Sequence, residues 1–465
     1  MSVDVSQAPE VVRASLKSRM ISASVWVVTG SVAANVIRLL SNLVLTRLLF
    51  PEAFGLMMIA TTVSVIVWML SDVGIQQSIV RGPRSEDPVF LDTAWAVQIV
   101  RGAVIWFAAC GIAFGLHMAV LWGWVSAHST YSDPLLPWVI AVNSFTSVIS
   151  GFNATDVASA NRRLNLKPMV ALDLTTQLFG TLLMIGLAWL LKSVWALVIS
   201  SLASALLYAF LSHRVFRIHR NRMRLDRPAL QELIAFGKWL ALSSAVSVFV
   251  SNGDRLILGA LVNPEILGLF AIAGALAGVL GGVIQSLFAQ VMLPAFGEVV
   301  RDQPSRVAEA YFRLRWRIDP LILCASGALF ALGPLIISVL YDTRYQAAGQ
   351  MLQILSLGLI VGRFFMVQQV YLALNEPRYQ VALNLLRLLL VAIAVPGAFQ
   401  LYGFTGALVA IALRDLAVVP LLFWFNSKHG LNNFRLESLW LLFWPAGWCA
   451  GAATLAVHEW LVASI

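Results

Sequence analysis

Apolar stretches of helical length alternate with short polar breaks along almost the whole chain. An α-helix needs about 20 mostly apolar residues to cross the hydrocarbon core of a bilayer. Twelve such stretches predict membrane helices, at 21–48, 54–79, 91–118, 135–158, 168–191, 193–212, 232–260, 266–293, 318–341, 347–373, 379–400 and 403–425. A thirteenth apolar stretch, 437–462, contains Pro445, His458 and Glu459, so we expect it either to span once or to lie along the interface.

The composition agrees with a protein whose main solvent is lipid. Apolar residues make up 59% of the 465 residues and charged residues only 12%, whereas soluble domains carry about 25% charged residues. Cys110, Cys324 and Cys449 all fall inside apolar stretches, too far apart in sequence for a metal motif or a disulfide framework. We expect these cysteines to be packing residues, and we expect no metal and no cofactor.

The loop charges predict an orientation for these helices. If the N-terminus is cytoplasmic, nearly all loop arginines and lysines fall on the cytoplasmic side, and only Arg47, Lys192 and Arg344 fall on the other. Cytoplasmic loops of membrane proteins carry this kind of excess. Topology therefore explains the net charge of +9, and no nucleic-acid partner is expected. Residues 1–20 lack the apolar core and cleavage site of a secretory signal.

The most basic stretch, HRVFRIHRNRMRLDRPALQE (His213–Glu232), divides the chain near its middle. We interpret it as a linker at the level of the lipid head groups, with His213 and His219 in solvent. The predicted organisation is a cytoplasmic segment (1–20), an N-terminal bundle (21–212), the basic cytoplasmic linker (213–231), a C-terminal bundle (232–425) and an extra C-terminal helix (426–465).

Two similar phrases indicate an internal repeat. LFPEAFGLMMIAT (49–61) and VNPEILGLFAIAG (262–274) share Pro, Glu, Gly, Leu and Ala at a constant offset of 213 residues. An even number of predicted helices separates them, so the repeats run parallel, as in transporters with two related halves. The predicted fold is an all-α polytopic membrane protein with two pseudo-symmetric six-helix bundles around a central cavity. The motif itself suits a tight turn before a helix.

Six arginines fall inside predicted spans: Arg38, Arg101, Arg255, Arg363, Arg387 and Arg414. Each costs about 2.5–3.5 kcal/mol at the centre of a membrane helix. We therefore expect them to face a wet cavity, to pair with acids or to reach the interface. Because the acids noted in the spans are only Asp173, Asp254 and Asp415, we expect a net positive interior.

Polar side chains recur at helical spacing beside these arginines. Asn35, Arg38 and Asn42 lie at i, i+3 and i+7, on one face of the first helix. The predicted substrate-binding residues are Asn35, Arg38, Asn42, Arg101, Asn143, Asn153, Arg255, Arg363 and Arg387. For the uncharged residues the alternative role is hydrogen bonding between helices. Guanidinium groups suit phosphate, so the predicted cavity suits an anionic amphiphile.

Two phrases carry a family resemblance. LTRLLFPEAFGLMMIATTVSVIVWMLSDVGIQQSIVR (Leu45–Arg81) and SNGDRLILGALVNPEILGLFAIAGAL (Ser251–Leu276) resemble hallmarks of the bacterial polysaccharide flippase family, within the multidrug/oligosaccharidyl-lipid/polysaccharide exporter superfamily. The resemblance extends over roughly residues 20 to 425.

The resemblance implies transport of polyprenyl-diphosphate-linked oligosaccharide across the bacterial inner membrane by alternating access, without covalent chemistry. It implies a role in exopolysaccharide or O-antigen-type synthesis and coupling to an ion gradient, for which the candidate residues are Asp173 and Asp254. The implied partners are the lipid-linked oligosaccharide, the phospholipid bilayer, and polysaccharide polymerase and chain-length proteins.

Two other functions fit the composition less well. A multidrug or organic-cation antiporter of the same superfamily favours acids in its cavity, whereas this chain is rich in arginine. A membrane polymerase or ligase needs a large outer loop with catalytic groups, and the predicted outer loops are short. The sequence contains no Walker A motif, which disfavours an ATP-driven pump.

Overall fold

The computed structural model describes residues 10–72, 74–81, 84, 87–162, 165–216, 219, 221–287, 296, 299–301 and 303–463. Within these ranges all regular secondary structure is helical, which confirms the predicted all-α class. Residues 1–9 of the predicted N-terminal segment and 288–293 of the predicted eighth span lie outside the described residues.

The helices follow one another with short connections. They are α1 (Glu10–Leu48), α2 (Pro51–Leu70), α3 (Ile75–Arg81), α4 (Pro88–Leu121), α5 (Leu136–Ser144), α6 (Thr146–Gly151), α7 (Asp156–Arg162), α8 (Lys167–Leu191), α9 (Trp195–Val215), α10 (Arg227–Leu261), α11 (Pro264–Leu287), α12 (Val307–Leu340), α13 (Ala347–Ser356), α14 (Gly358–Gly362), α15 (Phe365–Ala373), α16 (Pro377–Leu413), α17 (Val419–Ser427), α18 (Phe434–Leu441) and α19 (Phe443–Ala463).

Much of this helical structure is long and apolar enough to cross a membrane. Over the described residues, nine such segments are Val25–Leu48, Pro51–Leu70, Pro88–Leu121, Lys167–Leu191, Trp195–Val215, Val307–Leu340, Ala347–Ala373, Arg378–Leu413 and Phe434–Leu461. Three shorter apolar helical segments are Leu136–Gly151, Pro264–Val279 and Leu416–Ser427. The protein is therefore a multi-pass membrane protein. The last of the nine segments shows that the C-terminal stretch is also long and apolar enough to cross the membrane.

Local sequence explains where several helices begin and end. Asp87 caps α4, accepting a hydrogen bond from the Val89 backbone N–H at 3.0 Å, and Pro88 occupies the first turn. Lys192 ends α8 in a left-handed conformation with φ 46°. Gly403, with φ 65° and ψ −156°, interrupts α16. This interruption lies at the predicted boundary between the spans 379–400 and 403–425.

The chain forms two compact units. The N-terminal unit comprises Met1–Leu49, Ala60–Trp124 and Pro134–Ala245. The C-terminal unit comprises Phe50–Ile59, Val125–Asp133 and Val246–Ile465. The symmetry of the two predicted bundles and their central cavity remain predictions.

Helices of the N-terminal unit approach one another closely at glycines, which have no side chain to separate them. A Cβ on Gly102 of α4 would collide with the Ser147 backbone of α6, and one on Gly180 of α8 would collide with Ser204 of α9. Small residues allow this kind of contact between membrane helices.

The basic linker is tied to the N-terminal unit. His219 Nε2 lies 2.7 Å from Asp92 Oδ1, and the His219 backbone N–H donates to Asp156 Oδ2 at 2.8 Å. His213 is exposed, and its Nε2 lies 2.8 Å from the Phe152 carbonyl oxygen. The expectation of a solvated His219 was wrong, because buried carboxylates from two helices reach it.

In the C-terminal unit the last helix packs on α12 through small residues. A Cβ on Gly447 would collide with the Cys324 backbone, and one on Gly451 would lie 3.1 Å from the Ala328 carbonyl oxygen. Cys324 Sγ donates to the Phe443 carbonyl oxygen at 3.3 Å. The C-terminal segment therefore packs against α12 in this unit, and Cys324 lies in that contact.

Candidate functional site

A polar cavity of about 410 Å³ lies inside the N-terminal unit. Its walls come from α2, α3, α4, α6, α7 and α9 and from the break between α6 and α7. The predicted span 135–158 is broken here, because α6 ends at Gly151 and α7 begins at Asp156. The polar lining residues are Ser64, Asp72, Gln76, Gln77, Gln98, Arg101, Thr146, Ser147, Ser150, Asn153, Thr155 and Tyr208.

Arg101 is held on one wall of this cavity. Its Nη2 donates to the Trp68 carbonyl oxygen at 2.6 Å, its Nε donates to Ser71 Oγ at 3.3 Å, and its Nη1 lies 3.6 Å from Asp72 Oδ1. The guanidinium carbon lies 5.1 Å from the centroid of the Trp68 ring. Asp72 balances the charge, and the contacts at the end of α2 fix the orientation of the guanidinium group.

Gln98 stabilises the helix break beside Arg101. Its Nε2 lies 3.2, 3.0 and 3.1 Å from the carbonyl oxygens of Ser150, Gly151 and Asn153. The Ser150 carbonyl also accepts from the Asn153 backbone N–H at 3.1 Å. Gln98 adds a donor at Gly151 and Asn153, where the chain leaves α6 and the helix offers no further partner. Asn153 is thereby placed on the cavity wall. The sequence did not identify Gln98, because nothing in its local pattern indicates a partner more than 50 residues away.

Asn143 lies next to the cavity but is buried. Its Nδ2 lies 3.5 Å from Ser64 Oγ, and its Oδ1 accepts a hydrogen bond from Ser201 Oγ at 3.1 Å. These contacts connect α5 to α2 and α9. Such hydrogen bonds between membrane helices favour the structural alternative for Asn143.

The polar residues of α1 lie on their own face of the helix. At about 100° per residue, Asn35, Arg38 and Asn42 fall within roughly 60° of one another. Arg38 is exposed within its unit, and Asn35 and Asn42 are half-buried. Beside this polar face, about 60° to 180° around the helix from Asn35, lie four exposed large apolar side chains: Val32, Val36, Leu40 and Val44.

The contact with α8 lies between these two faces of α1. A Cβ on Gly30 would collide with Val170, and Gln177 Nε2 donates to the Ala34 carbonyl oxygen at 2.8 Å. The helix therefore has an apolar exposed face, a packed face and a polar face that carries Arg38. The spacing in the sequence predicted this polar face.

Arg363 belongs to a buried charge cluster in the C-terminal unit, which we define as Arg315, Asp319, Arg363 and Glu437. Arg315 Nη2 donates to Asp319 Oδ2 at 2.5 Å, and Arg315 also contacts Glu437. Arg363 Nη2 lies 3.0 Å from Glu437 Oε2, and its Nη1 donates to Asp319 Oδ2 at 3.4 Å. The four residues are at most 7% exposed, and their formal charges cancel.

Arg387 and Arg414 pair with acids from other helices or turns. Arg387 Nε lies 2.7 Å from Asp415 Oδ1, and Arg414 Nη1 lies 3.5 Å from Asp254 Oδ2. Arg255 Nη1 donates to Asn252 Oδ1 at 3.3 Å. Neighbours along a helix point about 100° apart, so Asp254 takes Arg414 as its partner rather than Arg255.

The list of buried acids made from the sequence was incomplete. It omitted Asp72, which faces Arg101, and the buried Asp319 and Glu437, which also face arginines. Asp173, which it included, is exposed on α8. In the described part of the chain, no three His, Cys, Asp or Glu side chains form a group that could hold a metal ion.

The fold is that of a known class of membrane transporter. The structure resembles the lipid II flippase MurJ in an inward closed conformation, with a TM-score of 0.67 and 12% identity over 93% of this chain and 99% of that one. It also resembles a MATE family multidrug resistance transporter of the MOP superfamily in its inward-facing conformation, with a TM-score of 0.63 and 14% identity over 85% and 94% of the two chains.

Residues 44–350 match the family described as polysaccharide biosynthesis protein, and the chain belongs to this family. It is 20% identical over 439 residues to the lipopolysaccharide biosynthesis protein WzxC of Escherichia coli (strain K12), covering 92% of this chain and 86% of that protein. It is 22% identical over 335 residues to the succinoglycan biosynthesis transport protein ExoT of Rhizobium meliloti (strain 1021), covering 71% and 64%. The predicted membership of the polysaccharide flippases of the MOP superfamily is confirmed.

Proposed function

We propose that the protein moves polyprenyl-diphosphate-linked oligosaccharide repeat units across the bacterial inner membrane by alternating access, for exopolysaccharide or O-antigen-type synthesis. The proposed orientation has a cytoplasmic N-terminus. The names of the relatives support this proposal, since they describe lipopolysaccharide synthesis and succinoglycan transport. The protein acts as a transporter and not as an enzyme, and it works with polysaccharide polymerase and chain-length proteins.

The polar cavity of the N-terminal unit is the observation that carries this proposal. Its volume of about 410 Å³ lies within the range of small-molecule sites, about 300–1,000 Å³. Amide and hydroxyl groups such as those of Gln77, Ser147 and Asn153 both donate and accept hydrogen bonds, as sugar hydroxyls require. A polar cavity of this kind among membrane helices suits the oligosaccharide part of the substrate.

The diphosphate requires a cation whose charge is not already balanced. Arg38 fits this requirement, because it is exposed within its unit and has no acidic partner among the described residues. A guanidinium group can bind phosphate oxygens in a bidentate manner. We therefore propose Asn35, Arg38 and Asn42 as the diphosphate-contacting face, and Arg101 and Asn153 as contacts to the sugars.

The other candidate residues have contacts that favour different roles. Arg363 and Arg387 lie in ion pairs, and Arg255 donates to Asn252. Removing one partner of a buried ion pair is strongly destabilising, so we propose that Arg363 and Arg387 hold helices together. For ion coupling we prefer the exposed Asp173 over Asp254, which faces Arg414.

Transport in vesicles containing fluorescent lipid-linked oligosaccharide tests the proposal. We expect Arg38→Ala and Arg101→Ala each to reduce translocation at least about ten-fold, as the loss of a charge-assisted hydrogen bond of about 1.5–3 kcal/mol predicts. Arg306→Ala, which removes an exposed arginine beside Glu309, is the control and should not change the rate. Transport of organic cations without translocation of the glycolipid would identify a multidrug antiporter instead.

A further inference from the structure

The linker presents a short segment whose backbone is held against the N-terminal unit. Residues 221–226 have no regular secondary structure and lead into α10 at Arg227. The Arg222 backbone N–H donates to Asp92 Oδ1 at 2.8 Å, and Asn221 Nδ2 donates to Thr155 Oγ1 at 2.6 Å. Asp92 and Thr155 are buried. The start of the segment therefore has a defined position.

The far end of the segment is held in the same way. The Asp226 backbone N–H donates to Thr93 Oγ1 at 3.1 Å, and Thr93 is fully buried in the second turn of α4. With 34 residues, α4 is about 51 Å long. This exceeds the hydrocarbon thickness of about 30 Å, and Arg84 and Asp87 precede α4. The segment therefore lies where α4 leaves the hydrocarbon core.

Basic and large apolar side chains alternate along the segment and face outwards. Met223 is 67% exposed and Leu225 is 65% exposed. Arg222, Arg224 and Arg227 are exposed as well, and none of them has an acidic partner within the described ranges. Hydrogen bonds at Arg222 and Asp226 anchor the backbone. The arginine side chains have no such anchor among the residues that the structure describes, so they are available to a partner.

The partner must offer anionic groups and apolar groups within a few ångströms of each other. We propose that residues 221–227 are a docking surface for anionic phospholipids, with the arginines on the phosphates and Met223 and Leu225 in the boundary between head groups and acyl chains. Interfacial segments combine arginine with apolar side chains in this way. A soluble phosphate would satisfy the arginines but leave Met223 and Leu225 in water.

Native mass spectrometry of the purified full chain in detergent measures this binding without any transport step. Phosphatidylglycerol is titrated against phosphatidylcholine, and bound lipids are counted. We expect the wild type to prefer phosphatidylglycerol. Arg222→Gln with Arg224→Gln should weaken phosphatidylglycerol binding roughly thirty-fold, because each arginine near an anionic surface contributes about five-fold. Met223→Ser with Leu225→Ser should weaken binding of both lipids.

The matched control is Arg306→Gln with Arg313→Gln. These exposed arginines both face Glu309, so their removal should leave phosphatidylglycerol binding within about two-fold of the wild type, as for exposed ion pairs. Equal losses of phosphatidylglycerol binding in the Arg222→Gln, Arg224→Gln variant and in the Arg306→Gln, Arg313→Gln control would overturn the assignment, because the effect would then follow total charge. Preference of the wild type for a polyprenyl diphosphate over phosphatidylglycerol, lost on Arg222→Gln with Arg224→Gln, would overturn it in favour of the transported lipid.

Discussion

Gly55 and Gly268 each lie against the backbone at the start of the other's helix. A Cβ on Gly55 would collide with the Pro264 carbonyl oxygen, and a Cβ on Gly268 would collide with the Pro51 carbonyl oxygen. The contact lies within the C-terminal unit and is reciprocal. The two similar phrases of the sequence are therefore packing partners, and glycine is required in both because only backbone fits between α2 and α11.

Substituting alanine for Gly268 should separate the two helix starts. A backbone carbonyl cannot rotate away as a side chain can, so we expect a loss of about 1–3 kcal/mol, as for overpacked sites, and a lower midpoint of thermal unfolding in detergent. Gly278→Ala lies on the same helix, where nothing is within 4 Å of the added Cβ. It should stabilise α11 slightly. Equal midpoints for both variants would contradict the packing argument.

Replacing Gln98 by leucine should weaken the break between α6 and α7. The carbonyl groups of Gly151 and Asn153 would lose the Gln98 donor, while the exposed Ser150 carbonyl keeps the Asn153 backbone N–H. Leaving a buried acceptor such as the Gly151 carbonyl without this donor costs about 1–3 kcal/mol. Asn153 would lose its position, and glycolipid translocation should fall with thermal stability. Gln76→Leu changes the same cavity without removing these hydrogen bonds. Equal losses of translocation and thermal stability in the two variants would show that the polarity of the cavity, and not these hydrogen bonds, causes the effect.

The charge cluster of Arg315, Asp319, Arg363 and Glu437 should be sensitive to the loss of one charge. Glu437→Gln leaves two buried arginines facing a single acid, and breaking a buried pair costs about 3–5 kcal/mol. Thermal unfolding in detergent measures this loss. Glu309→Gln, on the exposed surface, should cost at most about 1 kcal/mol.

A second substitution distinguishes lost charge from lost shape in this cluster. Arg363→Gln combined with Glu437→Gln restores neutrality, so the double variant should be more stable than the sum of the two single losses predicts. Strictly additive losses would show that the charges in the cluster are not coupled.

The turn after α12 should resist acid. Asp342 accepts hydrogen bonds from the Arg344 side chain and backbone, and these lower its pKa from 3.8 to about 2. Because the pKa is lowered in the folded state, the stabilisation is complete above pH 4 and is lost as the pH falls towards 2. Hydrogen-exchange protection of residues 343–345 should stay constant from pH 8 to about pH 4. Asp342→Asn should lower it throughout, and loss of protection near pH 6 in the wild type would contradict this pKa.

The sequence by itself determined the all-α membrane class, the family and the polar face of α1. Each of these is a local property. The length of an apolar stretch identifies a membrane-spanning helix. Spacing at i, i+3 and i+7 places Asn35, Arg38 and Asn42 on one face of α1, whatever surrounds the helix. The PExxG phrases are also read within a few residues, so their repetition was visible without a structure.

Only the tertiary structure decided which polar groups meet. Glu437 lies 122 residues from Arg315, and Gln98 lies 53 residues from the Gly151 carbonyl that it contacts. Partners so far apart are selected by which helices pack together, and apolar membrane helices with similar patterns leave many arrangements open. For this reason the sequence showed which arginines need a partner in the membrane, while helix packing decided which acid each one received.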